Sequence, residues 1–356
     1  MLLVIVMAAA LWGIGAVMGA PRRLRWSMIG GLWLAVVALH LVLPPLHPLR
    51  LATGESAAPW LLIGGFAVIV AAYRWGLDKL RARARQAGTP AAQGLFSEAE
   101  LDRYARHIVL REVGGPGQKK LKEARVLVIG AGGLGAPVLT YLAAAGVGRI
   151  GVVDDDVVSN SNLQRQVIFR DADISKPKVF AAAEAMQALN PYVEVRPYQR
   201  RLTGDVAADL FAEYDMILDG TDNFGTRYLS NRAAHGAGRP LVSGALSQWE
   251  GQLSVFDTAR GTPCYECIFP EAPAPGLAPS CAEAGVMGPL PGVIGAMMAG
   301  EAIKIITGAG APLRGEMLIY DALFGETRKF ALTRRPDCPV CGAAAGDGQV
   351  SAPQRS

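Results

Sequence analysis

Long stretches without charged side chains open the chain and restrict its fold more than any other feature. Residues 1–20 (MLLVIVMAAALWGIGAVMGA) and 26–44 (WSMIGGLWLAVVALHLVLP) carry no charge, and residues 60–73 form a third apolar block. A membrane-spanning helix needs about 20 mostly apolar residues, a length that the third block reaches by continuing to Leu77. We therefore predict a membrane region at residues 1–78 with three transmembrane helices, at about 1–20, 26–44 and 60–77.

Basic residues flank these blocks unevenly, which predicts their orientation. Three arginines separate the first two blocks, Arg50 alone lies between the second and third, and five basic residues from Arg74 to Arg85 follow the third. By the positive-inside rule the N-terminus lies outside, and the chain after residue 80 lies in the cytoplasm, as in a multi-pass inner (cytoplasmic) membrane protein. Two alternatives stay open: residues 1–20 are a cleaved signal peptide, or the blocks are buried helices of a soluble protein. The net charge of +4 belongs largely to these flanks and does not indicate nucleic-acid binding.

From residue 125 onward, short apolar strands alternate with helical segments. VLVIG precedes a helix at about 133–145, and IGVVD, the helical KVFAAAEAMQAL, VEVRPY, MILDG and PLVSG follow in order. This alternation is typical of an α/β fold with a doubly wound, mostly parallel, Rossmann-like sheet. We expect further strands near 251–257, 316–321 and 327–332 and a helix near 293–307. The expected boundaries are a linker at 79–96, the domain at 97–342 and a disordered tail at 343–356.

The start of that domain has a helix-capping pattern. Ser97 and Glu100 have the spacing of a capping box, which predicts a helix from Ser97 to about Val113.

A glycine-rich turn follows the first strand of the sheet. Its sequence GAGGLG contains Gly130, Gly132, Gly133 and Gly135. Between a strand and a helix, such a turn lets backbone approach phosphate oxygens, and the helix N-terminus supplies N–H donors. Asp154 ends the next strand, where a carboxylate is placed to bind ribose hydroxyls. On these residues alone, an NAD-dependent oxidoreductase remains an alternative.

Polar and basic residues after the second strand favour ATP over a dinucleotide. A triphosphate that loses pyrophosphate needs several cations on the leaving charge. After a third strand end, a carboxylate and an amide are placed where open α/β sheets bind ligands, and the carboxylate could hold Mg²⁺ against phosphate oxygens. The side chains that we select as contacts are Ser161, Asn162, Gln164, Arg165, Lys178, Asp222 and Asn223.

All five cysteines lie after the apolar blocks, where a reducing cytoplasm disfavours disulfides. Cys264 with Cys267, and Cys338 with Cys341, form two C-x-x-C pairs. Two such pairs favour a structural Cys₄ zinc site, although one pair alone is also a redox motif. Cys281 is left over in a segment rich in Pro, Gly and Ala, and both catalysis and burial of a small apolar thiol stay open for it.

These segments resemble a known family. RYARHIVL, GAGGLG, SNLQRQ, KPK, TDN, the two C-x-x-C pairs and CAEAGVMGPLPGVIG occur in the order and spacing of the HesA/MoeB/ThiF family, within the ubiquitin-activating-enzyme superfamily. The likeness covers residues 97–342 and is greatest to the bacterial molybdopterin-synthase and thiazole-biosynthesis adenylyltransferases. Residues 1–90 have no counterpart in the usual soluble members.

The resemblance implies a reaction. Members of the family bind MgATP and a small ubiquitin-like sulfur-carrier protein, whose C-terminal glycine carboxylate attacks the α-phosphate to give an acyl adenylate and pyrophosphate. It implies that Gly133 and the rest of its turn cradle the nucleotide and that Asp154 holds the ribose. The phosphates would be held by Asn162, Arg165 and Lys178. Asp222 would hold Mg²⁺.

The resemblance also implies features outside the nucleotide site. The four paired cysteines match Zn²⁺ ligands. Arg106 matches an arginine that reaches, in a homodimer, into the site of the neighbouring subunit. Cys281 matches a loop cysteine that in some members joins covalently to the carrier. No sulfurtransferase domain follows the paired cysteines, so we expect any persulfide donor to be a separate protein.

We therefore expect a membrane-anchored adenylyltransferase that activates a sulfur carrier, with the small subunit of molybdopterin synthase as its client. The thiazole-pathway carrier is the first alternative. An NAD-dependent oxidoreductase would leave Arg165 and Lys178 without a role, and a non-catalytic docking module would lack phosphate-binding residues. Adenylylation of a tRNA-borne carboxylate or a small peptide is disfavoured by the paired cysteines.

Overall fold

The computed structural model describes residues 1–54, 56–87, 94–274 and 284–342. The chain divides into two compact units, Met1–Gln93 and Gly94–Ser356. Two sequence predictions, for Cys281 and for a disordered tail at 343–356, lie outside the described residues.

The first unit is helical. Its helices are α1 (Leu2–Val17), α2 (Arg22–Val42), α3 (Pro48–Thr53) and α4 (Ala58–Ala87). By length and composition, α2 and the Ala58–Leu77 part of α4 are able to cross a membrane, whereas α1 has only 16 residues. Val4, Val36, Val37 and Trp60 form a small core, and many of the other large apolar side chains of this unit are exposed.

Helix α4 is longer than the third apolar block. It continues to Ala87, so that residues 79–87 of the predicted linker are helical. Alanine, arginine, lysine and leucine, which dominate these residues, are strong helix formers, and this explains why the change in composition does not end the helix.

The second unit is an α/β domain. It begins with a helix whose capping box is present as predicted, because Ser97 and Glu100 each accept a hydrogen bond from the other's backbone N–H. That helix ends at Ile108, before the predicted Val113, and a second helix follows. The helices of this unit are α5 (Glu98–Ile108), α6 (Gly114–Glu123), α7 (Gly135–Ala145), α8 (Lys178–Leu189), α9 (Gly204–Ala212), α10 (Phe224–Gly236), α11 (Tyr265–Ile268) and α12 (Leu290–Thr307).

An eight-stranded sheet forms the centre of this domain. Its strands are β1 (Arg125–Ile129), β2 (Arg149–Asp154), β3 (Glu194–Gln199), β4 (Met216–Asp219), β5 (Leu241–Leu246), β6 (Glu250–Phe256), β7 (Glu316–Asp321) and β8 (Glu326–Ala331). Their order is β3-β2-β1-β4-β5-β6-β7-β8; the first five are parallel and the last three are antiparallel to their neighbours. The prediction of a mostly parallel sheet is confirmed. The chain reverses direction across the sheet between β1 and β4, which is where open α/β sheets bind ligands.

Both faces of the sheet are covered at its central strands, whereas β8 at the edge is exposed. Along β1, Val126 and Val128 face one core with residues of α7, α8 and α12, while Leu127 and Ile129 face a second core with residues of α9 and α10. Such burial on both faces explains why the strand sequence is continuously apolar.

Helix α12 is apolar and long enough to cross a membrane. It packs against α7, β5 and β6, however, with Ile294, Met298 and Ala302 in the first core. Its composition therefore reflects burial within the domain.

Candidate functional site

A cleft of about 650 Å³ lies at the carboxyl ends of the parallel strands. It is bordered by the turn after β1, the acidic segment after β2 and the loop after β4, which meet at the switch point of the sheet. Of the residues selected from the sequence as nucleotide contacts, nine line the cleft: Gly130, Gly132, Gly133, Asp154, Asn162, Arg165, Lys178, Asp222 and Asn223.

The glycine turn has two separable roles. Gly130 has a φ of +87°, a left-handed conformation that favours glycine, and Gly132 and Gly133 form the wall of the cleft. Gly135 does not line the cleft. A Cβ there would lie 1.9 Å from the carbonyl oxygen of Gly130, so this glycine is required for the closeness of the turn and not for contact with a ligand.

Asp154 stabilises the conformation of the glycine turn. One carboxylate oxygen accepts the N–H of Ala131 at 2.7 Å, and the other accepts the N–H of Asp156 at 2.8 Å. Burial raises the pKa of this carboxyl, and Lys178 and the two N–H donors offset that only in part. The placement at the end of β2 fits the predicted ribose contact, and the hydrogen bonds add a second role that the sequence did not indicate.

Lys178 is a buried cation of the cleft. Its side chain is only 7% exposed, and its ammonium donates to the more exposed carboxylate of Asp156 at 2.7 Å. Since Lys178 begins α8, its position is set by the helix start, and Asp156 holds the ammonium at the rim of the cleft.

The polar run after β2 is only partly directed into the cleft. Arg165 lines it, and its guanidinium donates to the carbonyl of Ser161 at 3.0 Å. The side-chain oxygen of Asn162 accepts the N–H of Ser159 and thereby closes a short 3₁₀ turn. Ser161 and Gln164, both selected from the sequence, are not among the lining residues. Gln166, which was not selected, is buried and lines the cleft.

The loop after β4 presents Asp222, whose side chain is exposed in the cleft. Asn223 caps α10 by accepting the N–H of Thr226 at 2.8 Å. Behind the loop, Asp219 accepts the N–H and the hydroxyl of Thr221. An exposed carboxylate on a fixed loop beside the glycine turn is of the type that binds a divalent cation.

Arg227 supports the same loop from inside the domain. It is 5% exposed and donates to the carbonyls of Thr221 and Gly244 and to the hydroxyl of Ser243. An arginine on a helix is expected to face solvent, and for this reason Arg227 was not selected from the sequence. It adds a fixed positive charge to the wall of the cleft.

Arg106 does not line this cleft. It lies at a separate pocket of about 240 Å³ with Tyr104, His107 and Tyr141. Within a single chain, the arginine is therefore not placed among the other predicted site residues.

The paired cysteines, distant in sequence, come together. Cys264, Cys267, Cys338 and Cys341 are buried, and their sulfurs lie within 4.8 Å of one another. The shortest Sγ–Sγ distances are 3.4, 3.5 and 3.9 Å. Tetrahedral Zn²⁺ with Zn–S bonds of about 2.3 Å separates its sulfurs by about 3.8 Å, so the four thiols fit that ion.

Comparisons with known proteins agree with this geometry. The chain is 53% identical over 251 residues to a Thermus thermophilus protein named sulfur carrier protein adenylyltransferase, across 69% of this chain and 93% of the relative. It is 49% identical over 270 residues to the probable adenylyltransferase/sulfurtransferase MoeZ of Mycobacterium tuberculosis, across 72% of this chain and 69% of MoeZ. The fold is similar to that of E. coli MccB with MccA-N7isoASN, with a TM-score of 0.60 at 23% identity, over 70% of this chain and 76% of that one. Residues 104–340 match the ThiF family, and the chain belongs to that family.

Proposed function

We propose that this protein uses ATP to adenylylate the C-terminal glycine of a ubiquitin-like sulfur-carrier protein, with release of pyrophosphate. The observation that carries the proposal is the cleft itself, where a glycine turn at a helix N-terminus faces Arg165 and Lys178. The identity to proteins named adenylyltransferases supports the same reaction. The client that we propose is the small subunit of molybdopterin synthase, and the thiazole-pathway carrier is the alternative.

The reaction needs little chemistry from the protein beyond positioning and charge. The carrier carboxylate attacks the α-phosphorus, an acyl–phosphate bond forms, and the bond to pyrophosphate breaks. The turn at Gly132 and Gly133 binds phosphate oxygens through backbone N–H groups. Lys178 and Arg165 stabilise the negative charge that moves to the leaving pyrophosphate. Mg²⁺ at Asp222 would neutralise phosphate charge when bound.

We propose that the cluster of four cysteines binds Zn²⁺ in a structural role. Four thiolates fill the tetrahedral coordination of Zn²⁺ and all four are buried, so a bound ion would have no open position for substrate. Zn²⁺ there would connect the segment after β6 to the end of the described domain. A role for Cys281 in covalent sulfur transfer, from a separate persulfide donor, stays part of the proposal and is not required for adenylylation.

A homodimer would bring Arg106 to the cleft of the partner subunit. The separation of Arg106 from the cleft of its own chain supports this arrangement. Mixing Arg106→Ala with Lys178→Ala tests it, because one site of each mixed dimer regains both residues. For random pairing in a two-fold dimer we expect about a quarter of the wild-type rate. Inactivity of the mixture would show that Arg106 acts in its own chain, and full activity of Arg106→Ala alone would show that it has no role.

We also propose that the first unit anchors the protein in the cytoplasmic membrane, with the catalytic domain in the cytoplasm. The support is the apolar length of α2 and α4, their exposed apolar side chains and the basic residues that follow. The protein should remain in the membrane pellet after alkaline extraction, and a variant without residues 1–90 should be released. Release of the full chain by alkaline extraction would contradict the proposal.

The test of the function is ATP–pyrophosphate exchange by the full chain in detergent, with each carrier added separately. We expect exchange with one carrier and a loss on the order of a hundredfold in Lys178→Ala, as for removal of a transition-state charge contact. Lys176→Ala is the matched control, because Lys176 pairs with Asp173 and Glu184 and does not line the cleft. Exchange with neither carrier would refute this assignment and leave a docking role.

A further inference from the structure

Two adjacent arginines after β3 line the cleft, and the mechanism above does not use them. Arg200 and Arg201 directly follow the last residue of β3, and both are exposed. Neither was selected from the sequence. The mechanism also leaves one part of a bound nucleotide, its base, without a contact on the protein.

The order of the strands determines where each part of a bound nucleotide would lie. Gly132 and Gly133, which would hold phosphates, follow β1, and Asp222 follows β4 on one side of β1. Asp154, which would hold the ribose, ends β2 on the other side, one strand spacing of about 4.8 Å away. Because the ribose separates the phosphates from the base, the base would extend past Asp154, away from β4 and towards the end of β3.

The register between β2 and β3 brings the two arginines to that end of the cleft. Asp154 is paired with Gln199, the residue that directly precedes them. Their loop is held on both sides, since the N–H of Arg200 donates to the carbonyl of Tyr198 at 2.9 Å and Leu202 is buried in the second core. Leu202 also lines the cleft. This end of the cleft therefore combines an apolar side chain with two cations.

The charges of the two arginines are not compensated by the protein. Within the described residues, neither guanidinium forms an ion pair within 4.0 Å, whereas Arg196, on β3 itself, pairs with Glu194 and Glu213. A guanidinium plane stacks on the face of a nucleobase, to which a cation is also attracted. A purine base therefore fits the chemistry of this end of the cleft.

We propose that Arg200 and Arg201 hold the purine base of the nucleotide, by stacking of a guanidinium on the ring, and thereby favour a purine over a pyrimidine nucleotide. The inference rests on the proposed use of ATP and adds to it the residues that select the base. The base takes no part in the bonds that form and break, so this contact is the same in the ground state and in the transition state. It should therefore lower the KM for ATP and hardly affect kcat.

The test measures ligand affinities of the full chain in detergent, by calorimetric titration without a carrier. A double variant replaces both residues, Arg200→Ala with Arg201→Ala, and we expect its Kd for ATP to rise on the order of tenfold. The Kd for CTP should rise by less, because its single ring offers a smaller face. The Kd for tripolyphosphate, which has no base, should stay that of the wild type. Lysine at both positions keeps the charges without the planar group and should recover only part of the affinity for ATP.

Arg196→Ala is the matched control. Arg196 lies on the same strand, pairs with Glu194 and Glu213 and does not line the cleft. We expect this variant to bind all three ligands as the wild type does. In the exchange assay, the KM for ATP should rise on the order of tenfold in the double variant, with kcat changed by less than about twofold, and should not change in the control.

The outcomes separate this proposal from the function on which it rests. Exchange with neither carrier in the wild type would refute the function, whereas the titrations need no carrier and would still test the contact with the base. An unchanged Kd for ATP in the double variant would overturn the proposal. So would an equal loss of affinity for tripolyphosphate, which would assign the arginines to the phosphates. A higher KM for the carrier alone would assign them to the surface of the carrier and would overturn it as well.

Discussion

Helix α5 carries Arg106, and a single buried carboxylate anchors the start of that helix. Glu100 is 5% exposed and accepts the N–H of Ser97 at 2.9 Å, the hydroxyl of Ser97 at 3.0 Å and the ammonium of Lys122. Burial alone would raise the pKa of this carboxyl, but the bonds from Lys122 and Ser97 outweigh it and hold the pKa below its usual range. The charged form of Glu100 is therefore favoured in the folded protein.

Glu100→Gln places an NH₂ group against one of these donors and removes the charge. The loss of a hydrogen bond that involves a charged group costs about 1.5–3 kcal/mol, and Lys122 recovers part of this because it can turn to solvent. We expect the free energy of unfolding to fall by about 2 kcal/mol at pH 7. For a domain of this size, that corresponds to a decrease of roughly 4–8 °C in melting temperature.

The pH dependence has a definite sign. A carboxyl with a depressed folded-state pKa stabilises the fold above its unfolded pKa, and the stabilisation is lost as the pH falls through the folded pKa. The difference between wild type and Glu100→Gln should therefore be constant at neutral pH and shrink below about pH 4.3, the ordinary value for Glu. Glu98→Gln, exposed in the first turn of the same helix, should stay within about 0.5 kcal/mol of the wild type.

Calorimetry of the detergent-solubilised chain from pH 3 to 8 measures these differences. Equal melting temperatures for Glu100→Gln and Glu98→Gln at pH 7 would refute the reasoning, as would a difference that grows on acidification. Because α5 holds Arg106, we also expect Glu100→Gln to lower exchange activity, although less than Arg106→Ala does.

Three other perturbations have defined outcomes. Gly135→Ala should abolish exchange and destabilise the domain by about 1–3 kcal/mol, because the new Cβ would lie 1.9 Å from a backbone oxygen. The control Gly236→Ala places its Cβ in open space and should change neither property, and urea unfolding compares the stabilities of the two variants. Arg227→Met should reduce exchange by on the order of tenfold or more, and Arg227→Lys should reduce it by less. Lysine keeps the positive charge but lacks the planar guanidinium that donates to three oxygens. Steady-state kinetics measure the activity of both variants. Removal of Zn²⁺ by a chelator should release about one ion per chain, measured by metal analysis, and raise the KM for ATP. Undiminished activity in Arg227→Met, or a KM for ATP unchanged by chelation, would contradict the respective role.

The sequence could predict those features that depend on local patterns. The turn at GAGGLG and the capping box at Ser97 each depend on residues within a few positions of one another, and the strands are set by continuous apolar runs. The cysteine pairs were predictable as well, because the C-x-x-C spacing selects thiolate ligands whatever the length of chain between the pairs.

The direction of side chains in irregular segments could not be predicted. Between Ser159 and Phe169 the chain forms a 3₁₀ turn and further turns, which have no fixed period, so nothing in SNLQRQ distinguishes Gln164 from Gln166. Arg227 could not be predicted for a different reason. Its burial depends on carbonyls of a loop and of a neighbouring strand, and no pattern on α10 itself indicates them.

Helix α10 connects the two sites that the sequence presents as separate. Its N-terminus is capped by Asn223 at the cleft, and near its other end Asn231 accepts the N–H of Tyr265 at 2.9 Å. Tyr265 stands between two of the cysteines, lies buried against Phe256 and also lines the cleft. Tyr265 therefore links the cysteine cluster to one wall of the cleft. Loss of Zn²⁺ would free that wall, which is why we expect chelation to affect ATP binding and not only stability.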